Sequence, residues 1–152
     1  MLVTEHYKGL SWTPDVLLTS YHGIPVRYFT QGDPYHCHCH KTTRLLREKL
    51  GWGAEKTMLS FQSRFGKAPW LQPYTDKTLE KLAQNGVKNI AVITPGFAAD
   101  CVETLGEIAI EGKELFVEAG GKNFTFIPCL NASNAGVAML AALVRRNLQG
   151  WV

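Results

Sequence analysis

The chain predicts an α/β fold, a three-layer αβα sandwich built on a four-stranded parallel sheet. Three observations lead there. Short apolar runs alternate four times with helical stretches, helices of ten or more residues separate successive strands, and no short-period repeat, low-complexity tract or internal linker interrupts the order. Strands joined by long helical crossovers pair in parallel and are covered by helices on both faces. At 152 residues the chain suits one domain, which at this size buries roughly 70% of its unfolded surface.

Residues 1–14 carry no clear period and are expected to be a lead-in or an incomplete element, with the α/β domain occupying 15–152. Val16 to Tyr21 (VLLTSY) reads as the first strand, broken by His22-Gly23-Ile24-Pro25. A polar loop, Arg27 to Tyr35, leads into an amphipathic helix from about His36 to Leu50, whose period comes from Leu45, Leu46 and Leu50 and which Gly51 ends. Lys56 to Gln62 (KTMLSFQ) is the second strand, followed by a long loop to Tyr74 that carries Gly66, Pro69, Trp70 and Pro73. Thr75 reads as an N-cap for a short helix stopped by Asn85-Gly86. The third strand is Asn89 to Thr94. Pro95-Gly96 then breaks the chain before a helix that opens near Asp100 and stops at Gly120-Gly121. Asn123 to Cys129 (NFTFIPC) is the fourth strand, and Asn131 to Ser133 cap a last helix, Ala135 to Gln149.

Composition narrows the function classes. Hydrophobic residues make up 45% and charged residues 19%, with a net charge of +3, ordinary values for a globular protein. The basic residues decorate helices (Lys41, Arg44, Arg47 and Lys49; Arg145 and Arg146) without forming a block, so no nucleic-acid partner is expected. No run approaches the ~18 apolar residues of a membrane span. Met1 to Pro14 lacks the basic start and apolar core of a signal peptide. Four cysteines (37, 39, 101, 129) without a secretion signal favour reduced thiols and a cytoplasmic setting.

A parallel sheet collects functional residues at the carboxyl ends of its strands. Four loops converge there: His22-Gly23, Gln62 to Tyr74, Gly96 to Glu103 and Leu130 to Ser133. His22 therefore shares an edge with Glu103. From Glu103 the acids recur at Glu107 and Glu111, with Glu114 and Glu118 on the same side; at 100° per residue the five span about 80° of a helix. Like charges at this spacing cost roughly 0.2–0.5 kcal/mol per pair. The row is either a solvated face opposite an apolar stripe of Val102, Leu105, Ala109 and Phe116, or a carboxylate ladder facing a cation. Glycines at 106 and 112 would allow such a helix to distort. His22 is either a structural histidine or a proton acceptor and metal ligand.

Two other features have a bland and a sharp reading. In Tyr35-His36-Cys37-His38-Cys39-His40 the His/Cys alternation looks like a metal site, yet a helical segment keeps Cys37 and Cys39 from joining His36 and His40 in one tetrahedral site. Incidental surface chemistry and metal trapping both stand. Trp70 is either a loop anchor or an aromatic wall for a flat apolar ligand. Thr94-Pro95-Gly96-Phe97 lacks the glycines and lysine of a phosphate loop.

Five motifs in order carry a family resemblance: Ser20-Tyr21-His22-Gly23-Ile24-Pro25; Gly32-Asp33-Pro34-Tyr35; Phe61-Gln62-Ser63-Arg64-Phe65-Gly66; Pro69-Trp70-Leu71-Gln72-Pro73-Tyr74-Thr75; and Pro95 to Leu105 (PGFAADCVETL). From Asp15 to Val152 the chain resembles the carboxyl-terminal half of ferrochelatase in its bacterial style. The resemblance implies a chelatase-like domain, one of two Rossmann-like domains that hold a porphyrin between them. It implies insertion of ferrous iron into protoporphyrin IX in haem biosynthesis, a lyase activity with Fe2+ as substrate. His22 and Glu103 become the catalytic pair, and His22, Glu103, Glu107 and Glu111 the metal contacts. Trp70, Tyr21, Gly23, Ile24 and Pro25 become the porphyrin contacts. No iron–sulfur cluster is expected, because the cysteines of cluster-bearing relatives are differently spaced and this chain ends at Gly150-Trp151-Val152.

The same resemblance leaves about half the porphyrin pocket to be supplied, since residues 1–14 are too short for a first lobe. The expected partners are a porphyrin and either the missing N-terminal lobe or a second copy of the chain, as in half-sized homodimeric chelatases. A non-catalytic metal- or haem-binding module is the alternative. The last helix, with Leu140, Leu143 and Leu148 beside Arg145-Arg146, suits core packing or a peripheral contact with a membrane surface.

Overall fold

The strands form where β-branched and aromatic residues cluster between breaks, and they assemble in parallel. The computed structural model describes residues 2–151; Met1 and Val152, the outer limits of the two expected segments, lie outside the described residues. Strands β1 (Val16–His22), β2 (Thr57–Gln62), β3 (Asn89–Ile93) and β4 (Asn123–Ile127) make one sheet in the order β2-β1-β3-β4. All three pairings are parallel, as the alternating pattern predicts. Sequence order reverses direction between β1 and β3, so the crevice beyond their carboxyl ends is the natural binding position of the fold.

The pleat sorts β1 into two faces, because alternate residues point to opposite sides. Val16 and Leu18 join Ile90, Val92, Leu79, Ala83, Ile108 and Phe116 in one core. Leu17 joins Ala91, Ile127 and Val3 in the other. The first core lies under α4 (Thr75–Gln84) and the acidic helix, and the second under α1 (Leu2–Lys8) and α3 (Tyr35–Leu50). The last helix is α7 (Asn134–Asn147), and a short α2 (Val26–Thr30) sits in the stretch expected to be a polar loop.

Helix ends follow the punctuation of the sequence. Gly51, Gly86 and Gly120 adopt φ of 68°, 95° and 105° after their helices, a left-handed conformation open to glycine at low cost. Thr75 departs from expectation: it lies one residue inside α4, with Tyr74 in the cap position. Its buried hydroxyl is hydrogen-bonded to those of Ser60 (2.9 Å) and Ser20 (2.8 Å), partners that only the sheet brings near. The expected lead-in also takes structure. Residues Leu2–Lys8 form α1, with Val3 buried, Tyr7 stacked on Trp52 at 5.5 Å and His6 Nε2 2.8 Å from Thr125 Oγ1. The contacts that dock Val3, His6 and Tyr7 are with residues distant in the chain, which is why a local period does not reveal the helix.

The acidic helix runs through α5 (Val102–Thr104), a π-helical stretch (Leu105–Gly112) and α6 (Lys113–Glu118). The distortion that Gly106 and Gly112 would allow is present. The expected apolar stripe holds only in part: Phe116 is buried and Ala109 half-buried, but Val102 is 75% and Leu105 48% exposed. The buried positions are Thr104, Ile108, Gly112 and Phe116. An i→i+5 turn holds more residues than the 3.6 of an α-helix, so residues four apart stack almost directly. Gly112 lies close to α4, where an added Cβ would meet Leu79 Cδ1 at 3.2 Å.

In α7 and its C-cap, Val137, Leu140, Leu143, Val144 and Leu148 are all exposed and only Gly136 is buried, so core packing, one of the two settings open to Leu140, Leu143 and Leu148, does not apply. Among the described residues no helix is long and apolar enough to cross a membrane.

Candidate active site

His22 ends β1 on the Val16, Leu18, Ser20 side of the pleat, and this parity turns it toward the acidic helix. Register pairs it with Gln62, the last residue of β2. His22 Nδ1 lies 2.7 Å from the carbonyl oxygen of Gly23. A carbonyl only accepts, so Nδ1 carries the proton and, in the neutral ring, Nε2 is left as the acceptor or metal-binding atom. The Tyr35 hydroxyl donates to the His22 carbonyl at 2.8 Å and fixes the backbone from the other side. Phe97 and Trp70 flank the imidazole at 6.3 and 6.5 Å between ring centres.

One open cleft of about 480 Å³ is lined by His22, Glu103, Glu107 and Glu111, together with Ser63, Arg64, Phe65 and Val102. The four residues predicted as metal contacts therefore share one hollow. Glu114 and Glu118, expected on the same side, do not line it. The Cys101 thiol and Glu103's own backbone N–H hold the Glu103 carboxyl below its ordinary value, and the His22 ring adds to the effect.

Glu107 is anchored most firmly. Its carboxylate accepts the Ser63 backbone N–H at 2.6 Å, the Ser63 hydroxyl, and the Gln62 amide at 3.4 Å. Gln62 also donates to the Glu103 carbonyl at 2.7 Å and accepts from the buried Ser20 hydroxyl at 2.7 Å. Ser63 has φ of 61°, a strained value for a side-chain-bearing residue that costs on the order of 1–3 kcal/mol. That geometry aims both its N–H and its hydroxyl at Glu107. A smaller cavity of about 300 Å³ continues behind Glu107 and Glu111 to Asp76 and Arg64. There Arg64 pairs with Asp76 at 2.6 Å and lies 4.2 Å from the centre of the Tyr74 ring.

The predicted porphyrin contacts separate into two groups. Gly23, Ile24 and Pro25 run antiparallel to the Trp70 segment: Leu71 N–H donates to the Ile24 carbonyl and Val26 N–H to Pro69. Gly23 is a tight position, where a Cβ would crowd the Gln62 carbonyl at 3.0 Å and the Trp70 ring at 3.2 Å. Trp70 is half-buried and its indole N–H donates to the Phe65 carbonyl at 2.7 Å, so it anchors its loop while standing beside His22. Tyr21 is different. The pleat sends it to the opposite face, where it is 3% exposed and bonded to Thr43 at 3.0 Å; it lies beneath the site and not in it. Phe65 and Val102, 84% and 75% exposed on the cleft's rim, present the apolar surface instead.

Gln62, Ser63, Arg64 and Tyr35 lie in the motifs quoted above, but local pattern marks none of them: Gln62 reads as the last residue of a strand, Ser63 and Arg64 as polar loop, and Tyr35 as the end of another loop. The His/Cys segment lies on α3. Cys39 is buried among Tyr21, Phe61 and Leu71, and Cys37 is exposed, so the two thiols face different surroundings. Burial pushes the Cys39 and Cys129 thiols up to about 11, and all four cysteines are free. Among the described residues no three His, Cys, Asp or Glu side chains gather as a metal-holding group.

Comparison with known proteins identifies the family. The family profile described as Ferrochelatase matches residues 1–148. The chain is 62% identical over 150 residues to a ferrochelatase of Allorhizobium ampelinum and to one of Rhizobium etli, covering 99% of this chain and 44% of each relative. A ferrochelatase of Mesorhizobium japonicum is 58% identical over 150 residues, with 42% of its length covered. The chain thus spans less than half the length of these relatives. With its profile match running almost end to end, the chain belongs to the ferrochelatase family.

Proposed function

We propose that this chain supplies the metal-handling half of an enzyme that inserts Fe2+ into protoporphyrin IX, in the cytoplasm, as part of haem biosynthesis. The observation that carries the reading is the single cleft holding the acceptor face of His22 and the row Glu103, Glu107, Glu111. A porphyrin gives up two pyrrole protons as a dication enters. His22 Nε2 accepts one proton, and Glu103 takes the other or steers the cation. Carboxylates hold a dication through hard oxygen atoms and release it readily, which suits a site that must pass its metal on. Gly23 to Pro25, Trp70, Phe65 and Val102 offer the wall for the flat macrocycle.

A companion lobe completes the pocket. Two observations support it: these relatives are more than twice as long, and α7 exposes Val137, Leu140, Val144 and Leu148. On this reading the apolar face of α7 meets that lobe, in preference to a second copy of the chain or a lipid surface.

The test mixes the purified chain with protoporphyrin and Fe2+ or Zn2+, alone and with the preceding segment of a rhizobial relative, and follows metalloporphyrin absorbance. Insertion is expected when the companion segment is present. His22→Ala is expected to slow it by about 10²-fold or more, and Glu103→Gln at least about tenfold. Insertion at the parent rate in both variants would show that the residues are misassigned.

A further inference from the structure

Outside the cleft, α3 carries a second arrangement of ligating atoms. His36 and His40 are one helical turn apart, and their Nε2 atoms lie 3.1 Å from each other, with ring centres 4.4 Å apart. Zinc binds imidazole nitrogen at about 2.0–2.1 Å, so two such nitrogens on one ion sit about 2.9 Å apart at a right angle and about 3.3 Å apart at the tetrahedral angle. The observed separation falls between those limits. In the metal-free protein the same distance serves a ring-to-ring hydrogen bond, so the pair is held at its chelating distance before any ion arrives.

The rings are also held from outside. His36 packs against Phe29 at 4.6 Å and stacks on the buried Phe61 at 5.9 Å, 20° from parallel. Orienting partners of this kind reduce the ordering that binding would otherwise cost.

We propose that His36 and His40 form a two-histidine site for a borderline divalent transition ion such as Zn2+, Ni2+ or Cu2+, separate from the carboxylate cleft. Water or an anion fills the open positions, as in any site with two protein ligands. Imidazole suits these ions, and ferrous iron stands below them in the usual order of affinities. The two sites therefore divide the metals by donor type: hard oxygen in the cleft, nitrogen on α3. Lys41, Arg44 and Arg47 share the groove beside His40. Their charge works against a bare dication and sets the affinity below that of a closed three-ligand site. Cys39 takes no part because it is buried.

The full chain, kept reduced with a phosphine, is titrated with Zn2+ near pH 7.5 while heat and the side-chain nitrogen resonances of the histidines are followed. One equivalent is expected to shift the ring signals of His36 and His40 together. His36→Ala and His40→Ala are each expected to weaken that event at least tenfold, while His38→Ala and Cys37→Ser leave it within twofold. His40→Gln, which keeps a polar side chain at the same half-exposed turn, guards against a folding artefact and is expected to match His40→Ala. The proposal is overturned if Zn2+ moves neither ring, if the alanine variants bind as the parent does, or if Cys37→Ser abolishes binding. No porphyrin is present, so failure here leaves the insertion reading untouched.

Discussion

Glu107 and Glu111 are neighbours in one acidic row, yet the fold treats them differently. Glu107 accepts three hydrogen bonds from Ser63 and Gln62, while Glu111 is exposed at the cleft's edge. Hydrogen bonds to a charged group contribute roughly 1.5–3 kcal/mol when intact. Glu107→Gln keeps one acceptor oxygen but turns an amide donor toward other donors. Urea unfolding is expected to show a loss of about 1–2 kcal/mol for Glu107→Gln and a change within about 0.5 kcal/mol for Glu111→Gln. Equal effects would mean that the Ser63 clamp does not hold in solution. The contrast also explains how repelling acids are tolerated: Glu107 is tied down by the Ser63 and Gln62 donors, Glu103 is bonded by the Cys101 thiol and its own N–H, and Glu111 faces solvent.

At the scale of elements, the loop before the acidic helix is tied to the loop before α7. Asp100 N–H donates to Asn131 Oδ1 at 2.8 Å, and Asn131 Nδ2 returns a bond to Asp100 Oδ2 at 2.7 Å. Asp100 Oδ1 further accepts the Cys129 N–H and the Thr104 hydroxyl. Partial burial pushes the Asp100 carboxyl upward, but the Asn131 amide and the Cys129 N–H outweigh it, and the net value lies below the ordinary range. A depressed folded-state value means that the unfolded chain binds the proton first. The stabilisation is therefore complete above the unfolded aspartate value near ~3.9 and disappears as pH falls through the lower folded value. Acid titration is expected to give the parent a steeper loss of stability below about pH 4 than Asp100→Asn, which starts less stable. Parallel curves would mean that the carboxylate does not hold these loops together.

For the molecule as a whole, α7 is the unbalanced part. Ser133 caps it through a bond from Gly136 N–H at 3.1 Å, so the helix is locally well formed. Its apolar residues nevertheless face outward, because the sheet face that a returning helix would cover already holds α1 and Val3. Contiguous exposed apolar surface of this kind drives association. The chain alone is expected to self-associate at micromolar concentration in sedimentation experiments. Leu140→Lys with Val144→Lys is expected to restore a monomer with an unchanged melting temperature. A parent that sediments as a monomer throughout would remove the argument that α7 has a partner surface.

The sequence alone determined the parallel α/β architecture, the glycine stops of the helices and the sharing of one sheet edge by His22 and Glu103. Each of these depends on local period or on chain order, which a linear reading contains. It also marked Gly106 and Gly112 as points where the acidic helix could distort. Tertiary structure alone decided the rest. Packing of the acidic helix, with π-helical turns over Leu105–Gly112, exposed Val102 and Leu105 and buried Thr104, Ile108 and Gly112. The pleat put Tyr21 under the site, and α1 closed the face that left α7 uncovered. Ser63 and Gln62 became the holders of Glu107 only once β2 lay beside β1 and the acidic helix crossed above them. These outcomes depend on which distant residues meet in space, and packing between elements overrides the period within any one of them.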